Sequence, residues 1–268
     1  MAALSPGGLY SYSDNGNPGN LLNPVMVGNG GWAEFCFLFA GVNALLQPRI
    51  YAVNREGQLL SYSDDGTPGN VANPVVVGAD GWGPNNFLRL FAGVNDASQA
   101  RIYAVNRGGE LLSYSDDGTS GNVGHPVVVG ADGWDKFSAV FFCPISSAIS
   151  TGQIYAVDES GDLLQYQDDG TPGNVGDPVV VGRSIWSDYA FLSLFAGLNS
   201  LGYGRIYGVD GEGELLSYNF VGDGIWDCVI VGDSSDSRWF PFLFAGRNAL
   251  GQPRIYRVPV AFVGQVNS

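Results

Sequence analysis

A near-copy of residues 101–118, RIYAVNRGGELLSYSDDG, recurs at Arg49, Ile154, Arg205 and Arg254. Tyr51, Tyr103, Tyr155 and Tyr207 stand 52 residues apart and Tyr256 follows 49 later, a period that signals an array, solenoid or propeller. Within the copy, Ile102, Tyr103, Ala104 and Val105 form one β-branched and aromatic run, and Leu111, Leu112, Ser113, Tyr114 and Ser115 form a second. The glycines and polar residues between them supply the positive φ of a tight reversal, so the two runs pair as an antiparallel hairpin.

A full unit holds four strand candidates: 87–93 (FLRLFAG), 101–106, 111–116 and 126–130 (PVVVG). The small Ala92 and Gly93 suit a crowded axis, which places that strand innermost. The proline of PVVVG costs no ladder bond at an outer edge, which places that strand outermost. Residues 9–14 match 111–116 with no RIYAV strand before them, and residues 254–258 have no LLSYSD strand after them. Complementary half-units are what a closed ring needs, because pairing them removes the open edge. The expectation is an all-β, five-bladed β-propeller of four-stranded antiparallel blades. One domain, residues 1–268, closes by pairing two strands from each terminus. A solenoid, the main competitor, would want capping repeats instead.

Forty glycines and fourteen prolines agree with many short strands joined by turns. Twelve basic residues against twenty-six acidic ones give a net charge of −14, so nucleic acid and anionic membrane are poor partners. No stretch of eighteen apolar residues occurs and residues 1–6 lack a charged or apolar leader pattern. A cytoplasmic or non-classically secreted product is expected. Cys36, Cys143 and Cys228 fall at different points of the repeat and read as buried free thiols rather than a recurring disulfide or metal framework.

Enzymatic readings fare poorly. The one histidine, His125, takes the place of Asn23, Asn73 and Asp177 before a proline and reads as a turn residue. No nucleophile, zinc or nucleotide motif occurs. The pairs Asp64-Asp65, Asp116-Asp117 and Asp168-Asp169 are adjacent in sequence, so their side chains diverge and would not flank one scissile bond. Their DDGTPGN loops carry hard-cation ligand types but lack the Asp-x-Asp-x-Asp spacing and distal glutamate. The plainer reading is a turn bonding its own backbone. The chain is therefore read as non-enzymatic, with no cofactor and no metal site.

Antiparallel alternation puts the crossover loop and the hairpin turn, residues 106–110, on one face, and Asn95 with the DDGTPGN loops on the other. Trp32, Trp82, Trp134, Trp186 and Trp239 stand once per unit at the crossover. Each has two readings: a wedge between neighbouring sheets, or an edge that, with backbone N–H groups, floors a small pocket. The pocket would be completed by Asn29, Asp80 or Asp132 and by the hairpin residues Asn54, Asn106, Asp158 and Asp210. Aromatic surface beside carboxylates and amides suits a sugar. Arg49, Arg101, Arg205 and Arg254 lie toward the opposite face and are expected to pair with acidic loops such as Asp65 and Asp117.

Gly-Trp, Leu-Phe-Ala-Gly, Ile-Tyr-Ala-Val and Gly-Glu-Leu-Leu-Ser-Tyr, in that cyclic order from Leu9 to Val258, resemble the tachylectin-2 type of propeller lectins. Those lectins repeat a VGxxGWxxF…LFxG…IYAVxxxGxLxxY pattern. The resemblance implies a five-bladed ring binding N-acetylated or related hexoses on glycans, one site per blade, without cofactor. Gly31-Trp32, Gly81-Trp82 and Gly133-Trp134 match the junction motif, whereas Ile185-Trp186 and Arg238-Trp239 lack its glycine. The function expected is a multivalent lectin, and the ring is compatible with association into an oligomer. The alternative is a propeller scaffold for protein–protein interaction. A lyase or hydrolase at the central channel would require a polar cluster on the innermost strands.

Overall fold

In the computed structural model, which describes residues 4–21, 24–145, 152–184, 186, 191–221, 224–232 and 242–259, twenty strands form five four-stranded antiparallel sheets. The chain opens with β1 (Leu9–Tyr12) and β2 (Val25–Gly28). Blade I follows as β3 (Phe37–Val42), β4 (Pro48–Val53), β5 (Leu59–Tyr62) and β6 (Val75–Gly78), and blade II as β7 (Phe87–Val94), β8 (Ala100–Asn106), β9 (Leu111–Tyr114) and β10 (Val127–Gly130). Blade III comprises β11 (Ala139–Pro144), β12 (Gly152–Val157), β13 (Leu163–Tyr166) and β14 (Val179–Gly182). Blade IV comprises β15 (Ser193–Leu198), β16 (Gly204–Val209), β17 (Leu215–Val221) and β18 (Gly224–Gly232). Last come β19 (Phe242–Arg247) and β20 (Pro253–Val258), and blade V has the order β19-β20-β1-β2. Tyr10 of β1 pairs with Arg257 and Tyr12 with Ile255, so two strands from each end close the ring as the half-units require.

The innermost strands meet around the axis, and there glycine is a steric requirement. A methyl group on Gly41 would stand 2.3 Å from Ala92 Cβ, and one on Gly246 2.3 Å from Ala40 Cβ, well inside van der Waals contact. The apolar layers between blades hold one aromatic pair per blade, such as Phe39 stacked on Tyr51 at 5.2 Å and Phe91 on Tyr103 at 5.1 Å.

Two devices recur where one blade meets the next. The first is a latch. Tyr51 donates its hydroxyl to Asp116 Oδ2 in the next blade at 2.8 Å, Tyr103 to Asp168 at 2.7 Å, Tyr207 to Asp14 at 2.7 Å and Tyr256 to Asp64 at 2.8 Å. Each aspartate is buried, and its Oδ1 accepts from a glycine N–H and an asparagine Nδ2 of its own loop, as Asp116 does from Gly118 and Asn122. Burial first, and then the facing carboxylate, raises the phenol pKa of Tyr51, Tyr103, Tyr207 and Tyr256 well above the ordinary value.

The second device is a strap. The DDGTPGN loop reaches back and donates to the outermost strand of the preceding blade: Gly69 and Val71 to Met26 and Val27, Gly121 and Val123 to Val76 and Val77, Gly173 and Val175 to Val128 and Val129. Gly19 and Leu21 do the same to Ile230 and Val231. The strap satisfies carbonyls at the blade edge and buries Leu21, Val71, Val123 and Val175, each worth about 1.5–3 kcal/mol of apolar transfer.

The junction of blades III and IV is built differently. Phe220 stands in sequence where the latch aspartate would, β17 pairs with β18 out to Val221 opposite Gly224, and the sequence has no DDGTPGN loop to strap β14. Tyr155 turns instead to Gln165 of its own blade. At the other side of blade III, toward blade II, Phe142 occupies an alanine position, and a methyl group on Gly93 would fall 2.4 Å from its ring.

Two expectations need correction. Among the described residues no arginine of the repeat pairs with an acidic loop: Arg49, Arg101 and Arg254 donate to Gln47, Gln99 and Gln252 of their own blades. Asp65 and Asp117 instead accept from Thr67 and Thr119 within their loops, because a two-residue reach to a threonine outcompetes a long side chain. All three cysteines are free, but only Cys143 is buried; Cys228 sits exposed on the outermost strand of its blade and Cys36 is half-covered.

Candidate functional site

The crossover that follows each outer strand turns through a left-handed glycine into the tryptophan. Gly31, Gly81 and Gly133 have φ of 102°, 98° and 85°, and Trp32–Glu34 and Trp134–Lys136 continue as single 3-10 turns. The backbone N–H groups of Trp32, Trp82, Trp134 and Trp186 then donate to the carbonyls of the turn glycines Gly7, Gly57, Gly109 and Gly161, at 2.8–3.3 Å. These partners are also left-handed, with Gly57 at φ 78° and Gly109 at 84°. The crossover and the hairpin turn of a blade are thus clamped together, as the strand alternation requires.

The indoles themselves go inward. Trp32, Trp82, Trp134 and Trp186 are 3–5% exposed. Trp82 packs between Phe87 at 5.5 Å and Tyr114 at 4.7 Å, and Trp134 between Phe137 and Tyr166 in the same way. The wedge reading accounts for this packing. What a ligand would meet is the backbone that the wedge holds in place. Trp239 lies outside the described residues.

The hairpin residues serve their own turn. Asn106 Oδ1 accepts from Gly108 and Glu110 N–H, Asp158 Oδ1 from Ser160 and Asp162 N–H, Asn54 Oδ1 from Gln58 N–H and Asp210 Oδ1 from Glu214 N–H. Asp210 is buried, and the other three are half-buried. These bonds brace the turn itself.

Asn29, Asp80 and Asp132 are exposed and make no protein hydrogen bond among the described residues. The N–H groups of Gly31, Gly81 and Gly133 likewise have no protein acceptor. They lie against the turn: a methyl group on Gly57 would be 3.3 Å from Gly81 N, and one on Gly109 3.0 Å from Gly133 N and 2.7 Å from Asp135 Oδ1, a carboxylate that shares the second notch. The result is a small concavity in which two glycines leave room, a backbone N–H offers a donor, and at two junctions a free carboxylate offers acceptors. Successive N–H groups around left-handed residues form such polar nests.

Asn86 and Arg107 belong to this wall and were not anticipated. Asn86 Nδ2 donates to Gly81 O at 2.8 Å, and Arg107 donates from Nε and Nη2 to Pro84 O at 2.9 and 2.6 Å. They tie the crossover to the hairpin of the next blade. Asn86 has no counterpart in the other units and Arg107 recurs only as Arg55, so periodicity could not single out the pair. Between blades III and IV the same face opens into a cleft of about 320 Å³ that brings Asp158, Gly161 and Trp186 together.

The axial channel offers no comparable chemistry. Its mouth, about 100 Å³, is lined by the alanines and glycines of the inner strands, Phe142 and Pro144, with Arg247 at the rim. Among the described residues no cluster of His, Cys, Asp or Glu could hold a metal.

No family model matches the chain, and no curated protein does. Solved structures similar to it include the BP39L lectin of Burkholderia pseudomallei, at 13% identity over 88% of this chain and 71% of that one with a TM-score of 0.41. The Aleuria aurantia lectin, a six-bladed β-propeller with a distinct fucose-recognition mode, is 18% identical over 87% and 73% with a TM-score of 0.43. BBS1N, solved in complex with ARL6DN, is 11% identical over 84% and 66% with a TM-score of 0.37. These values leave the ligand to be argued from the residues of this chain.

Proposed function

We propose that the protein is a multivalent lectin of the tachylectin-2 type that holds N-acetylated or related hexoses on glycans, one shallow site per blade on the crossover face. One observation carries the reading: the same notch, a turn glycine facing a crossover N–H, is built at Gly7–Gly31, Gly57–Gly81 and Gly109–Gly133. A sugar hydroxyl or acetamide carbonyl accepts from the N–H of Gly81 or Gly133, while Asp80 or Asp132 accepts from neighbouring hydroxyls through charge-assisted bonds. The missing Cβ atoms at both glycines let the ring of the sugar approach backbone.

A notch this shallow corresponds to millimolar affinity, about 4 kcal/mol. Several notches on one rigid ring raise avidity for clustered glycans by about 10²- to 10⁴-fold. The test is a glycan array read together with calorimetry on wild type and Asp80→Ala. Binding to N-acetylhexosamine glycans that weakens in the variant supports the reading. A folded protein that binds no immobilised sugar overturns it and favours the protein-interaction scaffold, for which the burial of the indoles speaks.

A further inference from the structure

On the face opposite the notches, the junction of blades IV and V departs from its three latched counterparts at four positions that meet in space. Elsewhere a glutamine, Gln47, Gln99 or Gln252, accepts from both the turn asparagine and the strand arginine: Asn43 with Arg49, Asn95 with Arg101, Asn248 with Arg254. At this junction the glutamine is Tyr203, exposed to solvent. Both donors are left behind. Asn199 is fully buried and its Nδ2 has no partner; Arg205 is 9% exposed, its Nε is buried without a partner like those of Arg49 and Arg101, and, unlike theirs, its Nη groups make no hydrogen bond or ion pair among the described residues.

Both aim at the same place. A methyl group on Gly16 would stand 3.2 Å from Arg205 Nη2 and 3.3 Å from Asn199 Nδ2. Gly16 lines a cavity of about 410 Å³ walled by Asn15, Asn17, Leu201, Tyr203, Arg205 and Asn219. The other three loops carry an aspartate where Asn15 stands, a threonine where Asn17 stands, and their neighbouring strands a serine where Asn219 stands. The substitutions remove the acid from the wall, add amides and leave Arg205 its only ionised group. Asp14, behind the wall, is buried with its oxygens engaged by Tyr207, Gly16 N–H and Asn20.

A buried unpaired guanidinium and amide cost free energy unless an acceptor completes them. We infer that this junction is a single binding site for a carboxylate-bearing sugar. Its carboxylate takes the place that glutamine Oε1 fills elsewhere, between Arg205 and Asn199. Asn15, Asn17 and Asn219 meet its hydroxyls, and the exposed ring of Tyr203 packs on its apolar face.

Glucuronate, glucose and acetate, titrated separately against the intact protein by calorimetry or ligand-observed NMR, test the proposal. Glucuronate is expected to bind wild type, with glucose and acetate at least about tenfold weaker, and added salt should weaken the glucuronate. Tyr203→Gln supplies the internal acceptor that three other junctions already tolerate, so it should fold normally and lose glucuronate binding by about tenfold or more. Absence of glucuronate binding, equal binding of glucose or acetate, or binding unchanged in Tyr203→Gln overturns it. Failure here leaves the crossover notches untouched, and their failure under Asp80→Ala leaves this site standing.

Discussion

Asp116 and Asp80 each stand in a loop after a short strand, yet they belong to opposite economies of the same ring. Asp116 is 2% exposed and takes three hydrogen bonds, from Tyr51, Gly118 and Asn122. Asp80 is exposed and takes none from the described residues. The latch face directs its polar groups at one another and holds the blades together. The crossover face holds itself with buried indoles and backbone bonds, and its carboxylates Asp80 and Asp132 and the N–H groups of Gly31, Gly81 and Gly133 take no partner among the described residues. Polar residues that recur in a repeat therefore fall into two kinds, and burial with partner count tells them apart.

The strongest challenge to that contrast is Trp82→Ala, which empties the wedge under an otherwise solvent-facing notch. It should destabilise the fold by about 3–5 kcal/mol, read from urea denaturation. Asp116→Ala comes next, at about 2–3 kcal/mol, because Tyr51 OH, Gly118 N–H and Asn122 Nδ2 lose a buried acceptor. Sugar binding by the folded fraction should be unchanged, whereas Asp117→Ala, one residue on and exposed, should move stability far less. If Asp116→Ala weakened sugar binding while leaving stability intact, the assignment of faces would be reversed.

Alkaline titration probes all four latches at once. The phenols of Tyr51, Tyr103, Tyr207 and Tyr256 have folded pKa values raised well above the usual value near 10, through burial and then the facing aspartate. Above about pH 10 the unfolded chain releases these protons while the folded chain keeps them, so stability is full below that pH and falls as pH rises beyond it. Denaturation midpoints between pH 8 and pH 11 should show the decline, and Tyr51→Phe should make it shallower. The smallest effect on stability is expected for Asp80→Ala, which should leave the denaturation midpoint in place while removing one sugar site.

Blade number, strand order and the closure of the ring could be read from the repeat because each copy carries its own register and the half-units at the two ends match. The latch could not, since its partners lie 65 residues apart along the chain, in neighbouring copies. Tyr51 and Asp116 each look like an ordinary strand or turn residue within their own unit. The strap was hidden for the same reason: DDGTPGN reads locally as a turn, and only the preceding blade reveals what Val71 or Val123 covers. Net charge misled on the arginines, where a glutamine two residues away is nearer than any acid. The tryptophan carried both wedge and pocket readings in its spacing, and the Phe and Tyr rings on either side settle where the indole lies. Asp80 and Asp132 were legible as candidates because they precede Gly-Trp. Their freedom from internal partners needed coordinates.

A crystal of the wild-type protein soaked in N-acetylglucosamine puts the central claim to its most direct trial. Sugar density resting on Gly57 and Gly81 beside Asp80, and again on Gly109 and Gly133 beside Asp132, is the predicted result. Crossover notches left empty at saturating sugar, with or without density on the latch face, would contradict it.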